Sequence, residues 1–342
     1  MTDDKPYFID GIDLDRSNEE FNIALDLAMN THYSMYITGR AGTGKSTFLK
    51  YLDKIAGKNI VKLAPTGVAA INAGGQTLHS FFKIRPSVYT PDDPRLKSRK
   101  EQTEEGPNIT DYFHYNLTRL KTIRGIETIV IDEISMVRCD TLDVIDKLLR
   151  FYRMRPEPFG GVQMVFVGDL FQLPPVVTGE AREVIKHLYG DMSGHFYKAH
   201  CLKNNPLPKI EFKKIYRQAD QEFIDLLERF RTGSVSVFDL EKINRNVYRS
   251  SKEDDMRITL TVFKNDARTI NESRLNDLDG ETWKYNAQYV GDTSKLKDVV
   301  EDVLELKVGA QVMFLRNDYN GNWANGTIGR VTFLDDDKIG VM

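Results

Sequence analysis

The sequence predicts an α/β protein built on a doubly wound parallel sheet, and three observations predict it. Short apolar runs recur at Met35–Thr38, Ile60–Ala64, Thr128–Ile131 and Val162–Val167, the composition of strands buried on both faces. Between them lie stretches with apolar residues at helical spacing, including Phe48, Leu49 and Leu52, then Leu142, Ile145, Leu148, Leu149 and Tyr152, which gives an alternating β/α pattern. The segments that leave these strands carry glycines or paired carboxylates, and in such sheets ligands bind at the carboxyl ends of the strands.

Residues 1–17 read as an N-terminal tail. Ser17 followed by Glu20 makes a capping box, and Phe21, Ala24, Leu25, Ala28 and Met29 continue it as a helix. Residues 18–205 read as one doubly wound domain. An insertion near 85–120 interrupts it: Arg85–Asn116 holds Pro86, Pro91, Pro94 and Pro107 and a charge cluster, Arg95–Glu105. That composition disfavours regular structure, and the segment reads as a solvated loop or as a small wedge that separates strands. His200–Lys209, with Asn204, Asn205, Pro206 and Pro208, reads as a linker. A partial second β/α block follows over 206–303, with strands at Ile210–Ile215 and Ile258–Val262. Its helices run through Phe223, Leu226, Leu227 and Phe230, and through Ala267, Ile270, Arg274 and Leu278. Residues 304–342 change texture to a small β module, with strands at Ala310–Leu315 and Thr327–Phe333, a turn at Asn320 and Gly321, and an apolar alternation at Ile339–Met342 that leaves a strand unfinished.

A chain of 342 residues with 41% hydrophobic and 28% charged content can bury a substantial core. Its net charge of −3 argues against a broad basic face that coats nucleic acid, but leaves room for a local groove with a few stacking side chains. No run of about 18 apolar residues is present, and Met1–Arg16 is acidic and polar. The reading is therefore an intracellular protein with no signal peptide and no membrane segment. The two cysteines, Cys139 and Cys201, lack metal-ligand spacing and read as structural thiols.

The chemistry is concentrated in three blocks. Gly39-Arg40-Ala41-Gly42-Thr43-Gly44-Lys45-Ser46 matches G-x-x-x-x-G-K-[ST] between a predicted strand and a predicted helix. Glycines let successive N–H groups turn inward around phosphate oxygens, and the helix N-terminus adds a favourable dipole. The nucleotide-binding set is Gly39, Ala41, Gly42, Thr43, Gly44, Lys45, Ser46 and Thr47, with Lys45 on the β/γ-phosphates and Ser46 on Mg²⁺. Asp132 and Glu133 close the run Ile129-Val130-Ile131; Asp132 suits the metal and Glu133 suits a general base for water attacking the γ-phosphate. In Gly168–Val176, Gln172 is a candidate γ-phosphate sensor, followed by the stiff pair Pro174-Pro175. Arg217, beyond the linker, is a candidate for stabilising transition-state charge. Lys264-Asn265-Asp266 is not the base-reading motif of a GTPase, so a guanine switch is disfavoured.

In their order, these blocks resemble superfamily-one helicases of the B type, closest to the Pif-type (petite integration frequency) branch and more distantly RecD. The resemblance is carried by Thr38–Ser46, Ala64–Ala70, Gly75–Phe82, Ile131–Val137 and Gly168–Val176, and continues through Tyr216-Arg217-Gln218, Leu306–Met313 and Asn325-Gly326-Thr327. It implies a RecA-like P-loop NTPase fold with two RecA-like domains, the second incomplete here, and the start of an SH3-like β insertion from Leu304. It also implies ATP and Mg²⁺ in the cleft, 5′-to-3′ movement, and single-stranded DNA and duplex junctions as partners of a monomeric motor. Pro65, Thr66, Gly67 and Val68 suit a loop that holds DNA phosphates, and His79, Ser80 and Phe81 suit contact with DNA, with aromatic stacking at one phenylalanine. The sequence departs from the family twice. Asn18–Asn22 lacks the adenine-reading glutamine that many relatives carry, and the family's closing motifs are absent, as in an N-terminal fragment or a truncated relative.

Overall fold

Side chains of the apolar strands alternate between two faces of a sheet, and both faces are buried. The computed structural model describes residues 8–9, 12–102, 106–216, 220–245, 256–288, 302–315, 318, 322–323 and 326–342. In it, Ile129, Ile131, Met164 and Phe166 join one apolar cluster while Val130, Val165 and Val167 join another, the period-2 signature of strands covered on both sides. The chain divides into two compact units, Met1–Asn244 and Arg245–Met342.

The first unit begins with a two-residue ladder between β1 (Phe8–Ile9) and β2 (Ile12–Asp13). Its elements then run α1 (Glu19–Asn30), β3 (Met35–Gly39), α2 (Lys45–Ile55), β4 (Ile60–Ala64), α3 (Gly67–Asn72), β5 (Gln76–Thr77) and α4 (Leu78–Phe82). They continue with α5 (Ile109–Tyr112), α6 (Leu117–Gly125), β6 (Thr128–Ile131), α7 (Cys139–Arg153), β7 (Gln163–Val167), α8 (Gly179–Tyr189), β8 (Lys209–Phe212), α9 (Gln221–Thr232) and α10 (Val237–Asn244). Six strands form one parallel sheet in the order β5-β4-β6-β7-β3-β8, the doubly wound α/β architecture the sequence predicts. Phe21, Ala24, Phe48, Leu49 and Leu52 of α1 and α2 cover one face. Leu78, Phe81, Ile123, Leu142, Ile145 and Ile185, from α4, α6, α7 and α8, cover the other. The buried Cys139 and Cys201 are free thiols, and burial pushes the Cys139 thiol up to about 12.

The structure differs from the sequence reading in several places. The cap of α1 is Asn18, whose Oδ1 accepts the Phe21 N–H at 3.0 Å, while Ser17 is held by Asp15. The strand expected over Ile210–Ile215 to open the second block is instead β8, Lys209–Phe212, which completes the first sheet by pairing with β3, because Ile210 and Phe212 bury against the α1/α2 cluster. The proline-rich insertion also contributes side chains to the core. Tyr89, Leu96, Ile109 and Phe113 are buried against the sheet, and Arg95 lies 4.5 Å from the Tyr89 ring centroid and 5.2 Å from that of Tyr112. Apolar residues spaced between the prolines give this segment a buried face that its charge density concealed.

The second unit contains α11 (Lys264–Asn276), an antiparallel pair β9 (Trp283–Asn286) with β10 (Val303–Leu306), and a three-stranded sheet of β11 (Gln311–Met313), β12 (Ile328–Asp335) and β13 (Lys338–Val341). Leu306, Ala310, Val331 and Leu334 form its core. The alternation at Ile339–Met342 is paired with β12. The turn expected at Asn320 and Gly321 lies outside the described residues. Ile258–Val262 is not a strand; Leu260 and Val262 are exposed, since no described strand pairs with the run. α11 forms but buries no residue of its own, and contact with the small core comes through Leu275 and Leu278.

Candidate nucleotide-hydrolysis site and DNA-facing loops

Three strands end side by side at one edge of the sheet, and each delivers one of the predicted blocks. The phosphate loop follows β3, Asp132 and Glu133 follow β6, and Gly168–Val176 follows β7. The loop depends on backbone that only glycine supplies. Gly39 has φ +151, and a Cβ there would meet the Phe212 carbonyl oxygen at 2.5 Å; Gly44 has φ +93 as the cap of α2. Between them Thr43 Oγ1 donates to the Arg40 carbonyl at 2.9 Å, which ties the turn to itself.

Lys45 is the first residue of α2, and its ammonium donates to the carbonyls of Gly39 at 2.6 Å and Arg40 at 2.9 Å. Burial lowers its pKa, opposed by Asp169, Glu133 and Asp132 in that order. The lysine therefore sits in the field of all three carboxylates. Burial likewise raises the pKa of Asp132, and that of Glu133, where the neighbouring Asp132 charge adds to it. Glu133 adopts the left-handed region, φ 51 and ψ 42, and its N–H donates to Asp132 Oδ1 at 2.9 Å. A non-glycine residue held there is strained, a feature that clusters at functional sites. Two half-buried carboxylates with raised proton affinity form a pair short of a cation, and oxygen donors of this kind fit Mg²⁺. Ser46 is exposed in the first turn of α2.

Gln172 is exposed, and its amide donates to Asp169 Oδ2 at 3.3 Å. Arg217 lies outside the described residues. The neighbouring Tyr216 is anchored to the phosphate loop: its N–H donates to the Gly42 carbonyl at 2.9 Å, and its hydroxyl accepts from Asn18 and donates to Asp15.

The loops proposed to face DNA follow β4 and β5. Thr66 caps α3 by accepting the Ala69 N–H, beside half-buried Pro65 and Gly67 and exposed Val68. Thr77 caps α4 through the Ser80 N–H at 3.2 Å, leaving Ser80 exposed. His79 is half-buried, and burial with the nearby Arg138 charge lowers its pKa, favouring the neutral ring. Phe81 does not fit the stacking role. It is 1% exposed, packs edge-on against Phe82 and lies under Arg119 at 4.8 Å; the pitch of α4 turns it into the core. Phe81→Ala is thus expected to cost about 3–5 kcal/mol of stability, read by urea unfolding, with single-strand affinity of the folded protein unchanged. Selective loss of DNA affinity without loss of stability would return Phe81 to the surface role.

Residues 17–241 match the PIF1-like helicase family. The chain belongs to that family. The PIF1-like assignment extends beyond the matched segment. The ATP-dependent DNA helicase RRM3 of Saccharomyces cerevisiae is 31% identical over 327 residues, covering 91% of this chain and 41% of that protein. The Bdellovibrio bacteriovorus ATP-dependent DNA helicase Pif1 is 31% identical over 325 residues, covering 93% of this chain and 67% of that one. Among solved structures, the Bacteroides Pif1 helicase in complex with ADP-AlF3 and ssDNA has a TM-score of 0.77 at 36% identity, over 94% of this chain and 71% of that one. The chain thus spans less than half the length of the yeast relative. One charged group of this PIF1-like site escaped the sequence reading: Arg231, at the end of α9, reaches Asp169.

Proposed function

We propose that this chain is the ATP-hydrolysing portion of a DNA helicase or translocase of 5′-to-3′ polarity that acts on single-stranded DNA and duplex junctions. The observation that carries the reading is the convergence on Lys45 of Asp132, Glu133 and Asp169 from two neighbouring strand ends. The relatives support it, since they are named ATP-dependent DNA helicases, and the Bacteroides structure is a complex with ADP-AlF3 and ssDNA. The antiparallel β11–β12–β13 sheet supports reading the chain from Leu304 as the start of an SH3-like insertion in a partial second RecA-like domain.

In this reading the loop N–H groups from Gly39 to Ser46 hold the phosphates, and Lys45 exchanges its two carbonyl partners for the β- and γ-oxygens. Ser46 and Asp132 hold Mg²⁺, which neutralises phosphate charge when bound. Glu133 accepts the proton of the attacking water, Gln172 senses the γ-phosphate, and Arg217 stabilises transition-state charge. Thr66, Ser80 and the N–H groups beside Pro65, Gly67 and Val68 hold DNA phosphates, with His79 against a base.

The test is ATP turnover with and without single-stranded DNA, with unwinding of 5′-tailed and 3′-tailed forks. Stimulated turnover and unwinding restricted to the 5′ tail are expected; turnover indifferent to DNA would overturn the motor reading. A grip on phosphates also predicts a salt response. With about 3–5 phosphate contacts, affinity should fall roughly ten- to a hundredfold between 50 and 200 mM salt, measured by fluorescence anisotropy, and a flat response would remove the electrostatic grip. The exposed Ile258–Val262 run, with which no described strand pairs, favours one second reading, a DNA-stimulated ATPase that does not separate strands unaided; turnover without unwinding of either fork is its signature.

A further inference from the structure

The carboxylate of Asp169, 1% exposed at the end of β7, is more fully engaged than any role proposed for it requires. It accepts the Phe171 N–H at 3.1 Å and the Gln172 amide at 3.3 Å. It also accepts two parallel bonds from Arg231, Nε to Oδ2 at 2.7 Å and Nη2 to Oδ1 at 2.8 Å. The third guanidinium nitrogen of Arg231 donates to Glu228 at 2.8 Å, and Glu228 in turn pairs with Arg40 of the phosphate loop at 3.1 Å. The Arg231 guanidinium also lies 4.4 Å from the centroid of the Phe171 ring. One arginine on α9 therefore joins the turn that carries Gln172 to the loop that carries Lys45.

The geometry is specific to arginine. A planar fork can satisfy both carboxylate oxygens and still reach a third partner while stacking on an aromatic face. Burial alone would raise the pKa of Asp169; the Arg231 contact, aided by the Phe171 N–H, holds it below the ordinary carboxylate range. Without that partner the buried carboxylate is left uncompensated, and it has every reason to turn towards solvent or Lys45, carrying the 169–172 turn with it.

We propose that Arg231 is a positioning residue for ATP hydrolysis: it locks Asp169, and through Asp169 the Gln172 amide, in register with the phosphate loop. The inference rests on the reading of Gln172 as the γ-phosphate sensor. Arg231 itself touches neither phosphate nor water in this role. Its removal should slow turnover while the loop N–H groups and Lys45 still bind nucleotide.

The experiment measures kcat and KM for ATP at saturating single-stranded DNA in Arg231→Ala, Arg231→Lys, Gln172→Ala and the Arg231→Ala/Gln172→Ala double variant. Arg231→Ala should lose about ten- to a hundredfold in kcat, the scale of a misplaced reacting group, with KM within about threefold. Arg231→Lys, which keeps the charge but not the fork, should recover part of that loss. The double variant should be no slower than Gln172→Ala alone, because both changes break the same linkage. If Arg231→Ala does not fold, Arg231→Lys combined with Gln172→Ala carries the same comparison. Normal kcat in Arg231→Ala beside an impaired Gln172→Ala overturns the inference alone, as do losses that multiply in the double variant. Normal turnover in Gln172→Ala overturns the sensor reading and the inference with it.

Discussion

Lys45→Ala should lower ATP turnover by about a thousandfold, the upper range for deleting one preorganised charge stabiliser, and leave single-strand binding without nucleotide within about threefold. The first half follows from position. Lys45 is a cation in the field of Asp169, Glu133 and Asp132, and it is bonded to the Gly39 and Arg40 carbonyls, so it reaches the inner surface of the loop proposed to hold phosphate oxygens. The second half follows from separation. The loops read as DNA-facing leave β4 and β5, and none of their residues bonds to Lys45. Stability should not fall either. The ammonium stands at the N-terminus of α2, where a positive charge opposes the helix dipole and alanine is the better helix former. Its lowered pKa means the folded state disfavours the charge, so removing it relieves that cost. Turnover is measured by phosphate release, DNA binding by anisotropy and integrity by thermal melting. Turnover within tenfold of the parent protein would sink the phosphate-loop assignment.

What the sequence made legible and what it hid divide along a physical line. The phosphate loop was legible because its requirement is local: glycines where φ must be positive, then a lysine and a hydroxyl at fixed spacing. The central strands were legible because burial on both faces leaves a composition that turns and surface helices do not have. Phe81 and Phe82 were ambiguous because two adjacent aromatics read alike in a core and on a stacking platform; only the register of a five-residue helix capped by Thr77 turns them inward. Arg231 was hidden because an arginine in the last turn of an amphipathic helix is usually a favourable end charge, and its partner lies 62 residues away. One signal pointed to it. Asp169 follows a largely apolar run, Met164–Val167, and an aspartate buried there needs a cation. The strand that begins near Ile210 reads as part of the second block because so short a run carries no information about which sheet edge it joins.

Glu133→Gln should slow hydrolysis severely and strengthen the fold at once. As the proposed general base, the carboxylate is worth about 10²–10⁴-fold in rate, and glutamine keeps its size while removing the proton acceptor. Nucleotide affinity should survive, since the phosphate loop and Lys45 are untouched. The stability gain follows from linkage. Burial first, then the adjacent Asp132 charge, raises the pKa of Glu133, so the folded chain binds that proton more tightly than the unfolded chain. The group favours folding below its unfolded pKa, and that contribution is lost as pH rises through the folded value; at neutral pH the ionised side chain is a cost. Glutamine removes the cost, and an increase of about 1–3 °C in Tm without nucleotide is expected for a unit of this size. The gain should shrink as pH falls towards the folded pKa, where the parent side chain is already neutral. The same raised pKa places the acid limb of the parent kcat/KM profile above the ordinary glutamate range, and the residual activity of the variant should lack that limb. The left-handed backbone of Glu133 is untouched by the substitution, so any rise in Tm reports the charge and not released strain. A destabilised variant with normal turnover would contradict both the base assignment and the electrostatics that place it.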